Sequence, residues 1–396
     1  MRSNVISYLK VFWGFKMDFE LSNEQQLLKD SVSRLIADNY DLQKRGAIIK
    51  SADGYSKTVW KQLTDLGLLG LSFSSKYGGF DGGPVEQMIV LEAFGTGLLI
   101  EPYLATIVLS GTAIQSAADE NKKSELLSAI SNGDLLMAFA HGERLSRYQL
   151  SQVETKAQLE NGNWILNGEK TTVLHGGIAD TIIVTARTKG SDRSTDGISL
   201  FLVPAKTKGI TINSYPTIDG MQAADIKLSN VSVPQNALLG ECDKGFLIIE
   251  KIEQHGIAAV AAESVGAMQC VLDMTVDYLK TRTQFGRPIG DFQVLQHRAA
   301  DMYVAVEEAR SIAIYAAMMT TEKDTEKRRH AMATTKAQIG ISCREVGQGG
   351  VQLHGGIGIT EEYAIGHYFK RLSMIERQFG DVEHHMTTLS MMDSPD

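Results

Sequence analysis

The chain has 396 residues, of which 43% are hydrophobic and 22% are charged, and its formal net charge is -8 at pH 7. This length exceeds the size at which one hydrophobic core stops growing, so two or three subdomains are expected. The negative charge argues against general nucleic-acid binding, which needs a basic face. Cys242, Cys270 and Cys343 lie far apart without a CxxC pair, which predicts free thiols in a reducing compartment rather than a disulfide framework or a zinc site.

The first sixteen residues lack the features of a secretory signal. They carry Arg2 and an apolar stretch that Lys10 interrupts, and no small-residue cleavage site comes after it, so a signal peptide is not expected. Because the sequence from Met17 resembles a natural start, we predict that residues 1–16 are a non-native or flexible extension. No continuous apolar run reaches the roughly 20 residues that cross a bilayer. The sequence therefore predicts a cytoplasmic protein that does not bind membranes.

Residues 17–130 show the spacing of helices and predict an N-terminal α-helical domain. Ser22 and Gln25 have the pattern of a capping box, and apolar residues then recur with a period of 3.6. The residues that share these apolar faces are Leu27, Leu28, Val32, Leu35 and Ile36, and then Trp60, Leu63, Leu66 and Leu69.

Residues 131–240 change to a period of two, which is typical of strands. Alternation from Val153 to Leu159 is followed by Asn161-Gly162 and by further alternation at Trp164 and Leu166, a pattern that predicts a hairpin. Since no helix-length segment separates the short strands that come next, we predict a central antiparallel β-barrel or sandwich.

Residues 241–396 return to helical spacing and predict a C-terminal four-helix bundle. Two further helices are expected at 292–319 and 327–348. The fold class is therefore α+β, with a β domain between two helical domains. One face of a long first helix is formed by Ile257, Val260, Ala261, Ser264, Val265, Met268, Val271, Leu272 and Leu279.

Two segments of the C-terminal region carry the most specific motifs. They are Thr281–Gln296, TRTQFGRPIGDFQVLQ, and Gln352–Gly358, QLHGGIG. Together they resemble the dinucleotide-binding half of the acyl-CoA dehydrogenases, a flavoenzyme family with the same order of helical, β and helical domains. Within that family, the strings Asp291–Asp301 and Gly366–Arg371 are similar to the small subunits of pimeloyl-CoA dehydrogenases.

The resemblance implies an FAD that lies across a subunit boundary, with its ADP end on the C-terminal helices of one subunit. Arg282 matches the family arginine at the pyrophosphate, and a permanently charged, bidentate guanidinium suits that role. Glycines at 355 and 356 let the backbone approach a phosphate, although alone they would be typical of a helix C-cap. The predicted cofactor-binding residues are Arg282, Gln284, Phe285, Ile289, Phe292, Gln352, Gly355 and Gly356.

The flavin-side half departs from the family pattern. The family's Thr-Glu-Pro becomes Gly142-Glu143-Arg144, and the tryptophan and threonine that line its flavin become Thr172 and Leu174. These changes remove aromatic stacking area and hydrogen-bond donors. We therefore predict that this subunit holds no isoalloxazine ring of its own.

The family's reaction also needs a carboxylate that removes the proton next to the thioester. Members supply it from one of two positions, and these are Phe379 and Gly256 here, so no catalytic residue is predicted. Asp381 and His255 are the least implausible substitutes. They and Glu253, which also flanks the second position, are nevertheless expected to be surface or capping residues.

Two further features near these positions are predicted to be structural. Glu376 lies too early in the chain to share the helical direction of Phe379. In Glu383-His384-His385, neighbouring histidines on a helix point about 100° apart, and no other ligands lie at zinc spacing. No metal site is predicted.

The sequence supports three hypotheses, and the preferred one is a small, base-lacking subunit of a heterotetrameric acyl-CoA dehydrogenase. A homologous large subunit would supply the glutamate and the flavin wall, and the assembly would oxidise a dicarboxylic or bulky acyl-CoA to its trans-2-enoyl form. Electrons would pass to an electron-transfer flavoprotein. The second hypothesis is a self-sufficient homotetramer with a relocated base. The third is a non-catalytic acyl-CoA-binding or scaffold protein, which leaves the retained Arg282 and Gln352 unexplained.

Overall fold

The computed structural model describes residues 21–393, so the predicted extension at 1–16 lies outside the described residues. The chain begins with helices, continues as a sheet and ends as helices, which confirms the predicted fold class. A π-helix, Leu104–Ser110, leads directly into the fifth helix. The N-terminal helices are α1 (Asn23–Asn39), α2 (Leu42–Ile49), α3 (Lys57–Asp65), α4 (Pro84–Gly97), α5 (Gly111–Ala117) and α6 (Glu120–Ser131).

The start of α1 confirms the predicted capping box, because the Ser22 side chain accepts a hydrogen bond from the backbone N–H of Gln25 and the Gln25 side chain accepts one from the backbone N–H of Ser22. The apolar face is correct for most of its members, but Leu27 and Leu66 are 65% and 48% exposed. Leu27 precedes Val32 by five residues, which places it about 140° around the helix. Leu66 is the C-cap residue that follows Asp65, the last residue of α3.

The central domain is an eight-stranded sheet in which seven strands lie in the order β6-β7-β3-β2-β4-β5-β8. The predicted hairpin is present, since Asn161 and Gly162 have positive φ angles of 48° and 81° between β2 and β3. The strands are β1 (Met137–Ala140), β2 (Lys156–Glu160), β3 (Asn163–Leu174), β4 (Thr181–Arg187), β5 (Ile198–Pro204), β6 (Ile210–Pro216), β7 (Gln222–Pro234) and β8 (Leu238–Leu239).

The sheet is mixed rather than purely antiparallel, so that part of the prediction is wrong. Strand β1 pairs with β4 in parallel, with Met137 opposite Thr181. A second parallel contact joins Lys156 of β2 to Arg187 of β4. The long connection between β1 and β4, which contains the β2–β3 hairpin, is what allows the chain to return in the same direction.

The C-terminal region is built around one helix of 36 residues, α7, and all nine residues of its predicted apolar face are buried. By length and composition α7 could cross a membrane, although it contains no long uninterrupted apolar run. However, 72% of its most apolar window is buried inside the fold. The elements here are α7 (Phe246–Thr281), β9 (Thr283–Gln284), β10 (Arg287–Pro288), α8 (Gln293–Met319), α9 (Thr325–His354), α10 (Ala364–Arg377) and α11 (Val382–Met392).

Helices α4 and α7 cross at a pair of glycines, one on each helix. A Cβ atom added to Gly95 would lie 1.9 Å from the carbonyl oxygen of Glu263, and one added to Gly266 would lie 1.9 Å from that of Glu92. Both obstacles are backbone atoms, so a side-chain rotation cannot relieve the contact. The two glycines therefore set the distance between the N-terminal domain and the helix that carries much of the cavity described below.

Replacing Gly266 by alanine is expected to lower the free energy of unfolding by about 3 kcal/mol, the upper end of the usual cost of overpacking. Gly46→Ala on α2 is the matched control, because a Cβ there meets nothing within 4 Å. It is expected to stabilise the helix by about 0.5–1 kcal/mol. Chemical denaturation measures the free energy of unfolding of both variants. Equal changes in this free energy would show that the helix crossing tolerates a methyl group.

Candidate active site

A cavity of about 640 Å³ lies between the central sheet and the helices α7 and α10. Its volume is in the range of sites that hold small molecules. The sheet side includes Phe139, His141, Gly142 and the residues from Thr171 to Leu174. The helical side includes Ile249, Ile252 and Glu253 of α7, Met374 and Arg377 of α10, and Gln378 and Phe379.

The two positions from which the catalytic carboxylate was expected meet at this cavity. A Cβ atom at Gly256 would lie 2.7 Å from Cζ of the Phe379 ring, so the ring fills the space that a side chain at 256 would need. Phe379 has a φ of 58°, a conformation that is uncommon for a bulky residue. Neither position supplies an ionisable group.

A buried lysine fixes the turn that carries Phe379. The Lys336 ammonium donates hydrogen bonds of 2.8 Å and 2.7 Å to the carbonyl oxygens of Glu376 and Gly380. Burial lowers the pKa of Lys336 to about 8. The turn is thus tied to α9 on both sides of Phe379, which holds the aromatic ring against α7.

The acids and bases suggested as substitutes lie outside the cavity lining. Asp381 caps α11 by accepting a 2.9 Å hydrogen bond from the N–H of His384, as expected of a capping residue. Glu376 forms a salt bridge with Arg344. His255 is half-buried, and burial lowers its pKa to about 4, so its ring is neutral at pH 7. Neither Asp381 nor His255 lines the cavity.

Glu253 is the exception, and its expected role as a surface or capping residue is wrong. It lines the cavity, one helical turn before Gly256. Residues three apart share a helix face, and this spacing is the signal that sequence reasoning missed. Burial, and to a smaller extent the Glu250 carboxylate, raise the pKa of Glu253 to about 8, against the opposite effect of Lys336.

On the sheet side of the cavity, polar groups near the positions that match the family's flavin edge are engaged in contacts within the chain. Asp225 accepts hydrogen bonds from the Thr172 N–H at 3.1 Å and from the Tyr215 hydroxyl at 2.9 Å. Leu174 packs against the hydrophobic core. Glu143 is used internally, in a buried 2.7 Å ion pair with Lys170. The loss of a flavin-binding wall stays a prediction.

The predicted ADP-side residues form a small hairpin after α7. Gln284 of β9 pairs with Arg287 of β10, and Phe285 and Gly286 turn between them with φ angles of 56° and 78°. The Phe285 side chain is 89% exposed, and its ring meets Phe292 edge-on at 6.0 Å between centroids. A large aromatic ring held in the open in this way is available to pack against a ligand.

The hairpin is closed at its base and followed by a short turn. The Ile289 N–H donates a 2.8 Å hydrogen bond to the carbonyl oxygen of Arg282. Ile289 is half-buried at the start of the 3-10 turn Ile289–Asp291. The Arg287 guanidinium lies 4.2 Å from the centre of the Phe292 ring. Arg282, Phe285, Ile289 and Phe292 therefore belong to one local unit.

The end of α9 lies beside this unit. The rings of Tyr278 and His354 stack with centroids 4.5 Å apart, which joins the last turn of α7 to the last turn of α9. Arg282 and Gln352 are both exposed, and no hydrogen bond or salt bridge ties either side chain to another residue within 21–393. They are therefore available to a ligand at the same end of the bundle.

The two glycines after α9 leave the backbone accessible. Gly355 has a φ of 65°, and a Cβ atom at Gly355 or Gly356 would meet nothing within 4 Å. Open backbone, a free guanidinium and a free amide are the groups that bind a pyrophosphate. The ADP-side residues thus fit a dinucleotide, and their assignment as its binding residues stays a prediction.

Metal binding is not supported at the segment Glu383-His384-His385. His384 and His385 lie on α11 with ring centroids 5.0 Å apart, and the His385 ring hydrogen-bonds the carbonyl oxygen of Phe379 at 2.7 Å. Among the described residues, no group of three His, Cys, Asp or Glu side chains has the arrangement of a metal site.

Comparison with known proteins identifies the family. Sequence models of the N-terminal, middle and C-terminal domains of acyl-CoA dehydrogenase match residues 22–134, 138–231 and 243–391. The chain belongs to the acyl-CoA dehydrogenase family. The FAD-dependent oxidoreductase chemistry of acyl-CoA dehydrogenases is therefore the class of activity to which this fold and cavity correspond.

Individual acyl-CoA dehydrogenases resemble the chain over almost its whole length. "Probable acyl-CoA dehydrogenase YngJ" of Bacillus subtilis is 30% identical and covers 91% of this chain and 95% of its own. The solved butyryl-CoA dehydrogenase of Megasphaera elsdenii is 26% identical, with a TM-score of 0.86, covering 95% of this chain and 99% of that one. A subunit of the caffeyl-CoA reductase–Etf complex of Acetobacterium woodii is 28% identical over 80% of this chain and 84% of its own.

Proposed function

We propose that the chain is the small subunit of a hetero-oligomeric acyl-CoA dehydrogenase that forms trans-2-enoyl-CoA. The observation that carries this proposal is the contact between Phe379 and Gly256, because it closes both positions of the family's carboxylate. The exposed hairpin that carries Phe285, together with the free Arg282 and Gln352, supports a shared cofactor. A homologous large subunit would supply the missing glutamate and the flavin wall.

In this arrangement the chain binds and orients the cofactor. Arg282 would neutralise and hydrogen-bond the pyrophosphate, Gln352 would add an amide, and Gly355 and Gly356 would let the backbone approach it. The Phe285 ring would pack against the adenosine side. When bound, FAD supplies the hydride acceptor for the β-carbon of the acyl group.

The substrate and the electron acceptor belong to the same proposal. The similarity of the C-terminal strings to small subunits of pimeloyl-CoA dehydrogenases favours a dicarboxylic or bulky acyl-CoA. The similarity to a subunit of a reductase–Etf complex supports an electron-transfer flavoprotein as the redox partner. Three free cysteines, Cys242, Cys270 and Cys343, fit a reducing compartment such as the cytoplasm.

A second candidate function is a self-sufficient homotetramer with a relocated base. Glu253 favours it, because this carboxylate lines the chain's own cavity beside the closed family positions. The contacts of Asp381 and His255 give no such support. This candidate ranks second because the family's aromatic wall is missing at Thr172 and the N–H of that residue already donates a hydrogen bond to Asp225.

The amount of FAD bound per protein chain distinguishes the two candidate functions. The full chain is expressed alone and together with a homologous large acyl-CoA dehydrogenase subunit, and bound FAD is quantified from its absorbance per protein chain. We expect a nearly colourless lone chain and a yellow, active pair. A lone chain that retains about one FAD and oxidises an acyl-CoA would replace the first candidate by the second. No flavin in either preparation would favour a scaffold role.

A further inference from the structure

Glu253 is an acidic side chain without a structural partner in a ligand-sized cavity. It is half-buried on the cavity face of α7. No hydrogen bond or salt bridge joins its carboxylate to another residue in the described part of the chain. By contrast, the neighbouring acid Glu250 is paired with Arg329, and Glu143 across the cavity is paired with Lys170. Glu253 thus differs from the acids that stabilise the fold.

The surroundings of Glu253 make this lack of a partner significant. On its own helix, Ile249 and Ile252 line the same cavity, and Phe379 covers the next turn. The half-buried position beside these apolar side chains disfavours the charged carboxylate, and the arginines of the same cavity, Arg144, Arg147 and Arg377, form no ion pair with it. A carboxyl group kept at that cost, and directed at a cavity, is characteristic of a functional site.

We propose that Glu253 is a proton-transferring residue of this chain's own cavity, where it takes the α-proton of a bound acyl-CoA thioester. The inference rests on the proposed function for its ligand class, an acyl-CoA, and it gives this chain a base of its own, as in the second candidate function. In this step the α-C–H bond breaks, the proton passes to the Glu253 carboxylate, and the electron pair of that bond is delocalised onto the thioester carbonyl. The reverse step returns the proton, so no oxidant is required.

Position and acidity both suit this role. The residue lies on the same α7 face as Gly256, one turn earlier, and its side chain lines the cavity together with Phe379. A general base works best when its pKa is near the operating pH, and the pKa of the Glu253 carboxyl is about 8. At neutral pH part of the Glu253 population is therefore ionised, and this is the form that accepts a proton.

Exchange of α-protons with D2O tests the proposal without requiring oxidation. The full chain is incubated with added FAD and either butyryl-CoA or but-3-enoyl-CoA, whose α-proton is also allylic and therefore more acidic. Mass spectrometry then measures deuterium in the recovered thioester. We expect exchange above the buffer rate for the native chain and a loss of about 10²-fold or more in Glu253→Gln, the usual size of a general-base contribution.

Two controls separate chemistry from folding. Asp381→Asn removes a nearby carboxylate but keeps a good helix cap, since asparagine caps about as well as aspartate, so it should exchange at the native rate. Glu253→Asp keeps the acid on a shorter side chain and should exchange at an intermediate rate. Circular dichroism and acyl-CoA binding should be unchanged in both Glu253 variants, and a correctly folded Glu253→Asp remains informative if Glu253→Gln misfolds.

Native-rate exchange in Glu253→Gln, or no exchange above buffer by the native chain with either thioester, would overturn the proposal. These results are distinguishable from failure of the proposed function. A hetero-oligomer that never retains FAD contradicts the shared-cofactor role, whereas exchange by the lone chain depends only on its own cavity.

Discussion

Replacing Arg371 by methionine is expected to lower the free energy of unfolding by about 3–5 kcal/mol, the usual cost of removing one partner from a buried ion pair. Arg371 is 1% exposed. It holds Glu263 of α7 through two hydrogen bonds of 2.6 Å, and Asp219 of the β6–β7 turn through one of 2.8 Å. The substitution would leave both carboxylates buried without their main cation.

The position of this network makes the effect more than local. Arg45 of α2 also contacts the segment, donating to the carbonyl oxygen of Asp219. One cluster therefore joins the N-terminal helices, the sheet and the C-terminal bundle. Loss of Arg371 should loosen the sheet against the helices that form the other wall of the cavity.

Lys370→Met is the matched control for this prediction. Lys370 lies next to Arg371 on α10 but pairs with Glu361 at the surface, where the two side chains are 36% and 72% exposed. An exposed pair contributes about 0–1 kcal/mol. Urea denaturation measures the free energy of unfolding of both variants. Similar midpoints for the two would contradict the importance assigned to the buried cluster.

Replacing Arg282 by glutamine is expected to weaken FAD binding by the assembled enzyme about 10–100-fold. A hydrogen bond to a charged group contributes about 1.5–3 kcal/mol, and about 1.4 kcal/mol corresponds to a factor of ten. Arg282, the C-cap residue of α7, has an exposed side chain with no hydrogen bond or salt bridge to another described residue, so its loss should leave folding unchanged. Fluorescence titration with FAD measures the affinity.

Arg34→Gln is the control for the cofactor prediction, because Arg34 is an exposed arginine on α1, far along the chain from the hairpin. It should bind FAD like the native chain. Higher salt should weaken FAD binding in the native protein more than in Arg282→Gln, since the variant has already lost one charge contact. Unchanged affinity in Arg282→Gln would refute the assignment of Arg282 to the pyrophosphate.

The domain order and the ADP-side hairpin could be predicted from the sequence because both depend on local signals. The turn at Phe285-Gly286, the capping box at Ser22 and the hairpin at Asn161-Gly162 are each determined by a few adjacent residues. Alignment to the family's two base positions was also sufficient to find Phe379 and Gly256, although only the structure shows that they touch.

Features that depend on distant segments could not be predicted in the same way. The parallel pairing of β1 with β4 depends on a return of the chain after an intervening hairpin, which strand periodicity does not record. The place of Glu253 in the cavity lining could not be predicted, because α10 and the sheet complete that cavity around it. The Arg371 cluster likewise joins residues from four separate parts of the chain.

The packing of Phe379 against Gly256 also constrains how this lineage can change. A glutamate at 256 has no room while the phenyl ring stays in place, since even a methylene carbon there would overlap it. An acid introduced at that site alone would thus be disfavoured on steric grounds unless the Phe379 ring moves or a smaller side chain replaces it. Gain of an acid at 256 therefore depends on the side chain at 379, so these two positions are expected to change together.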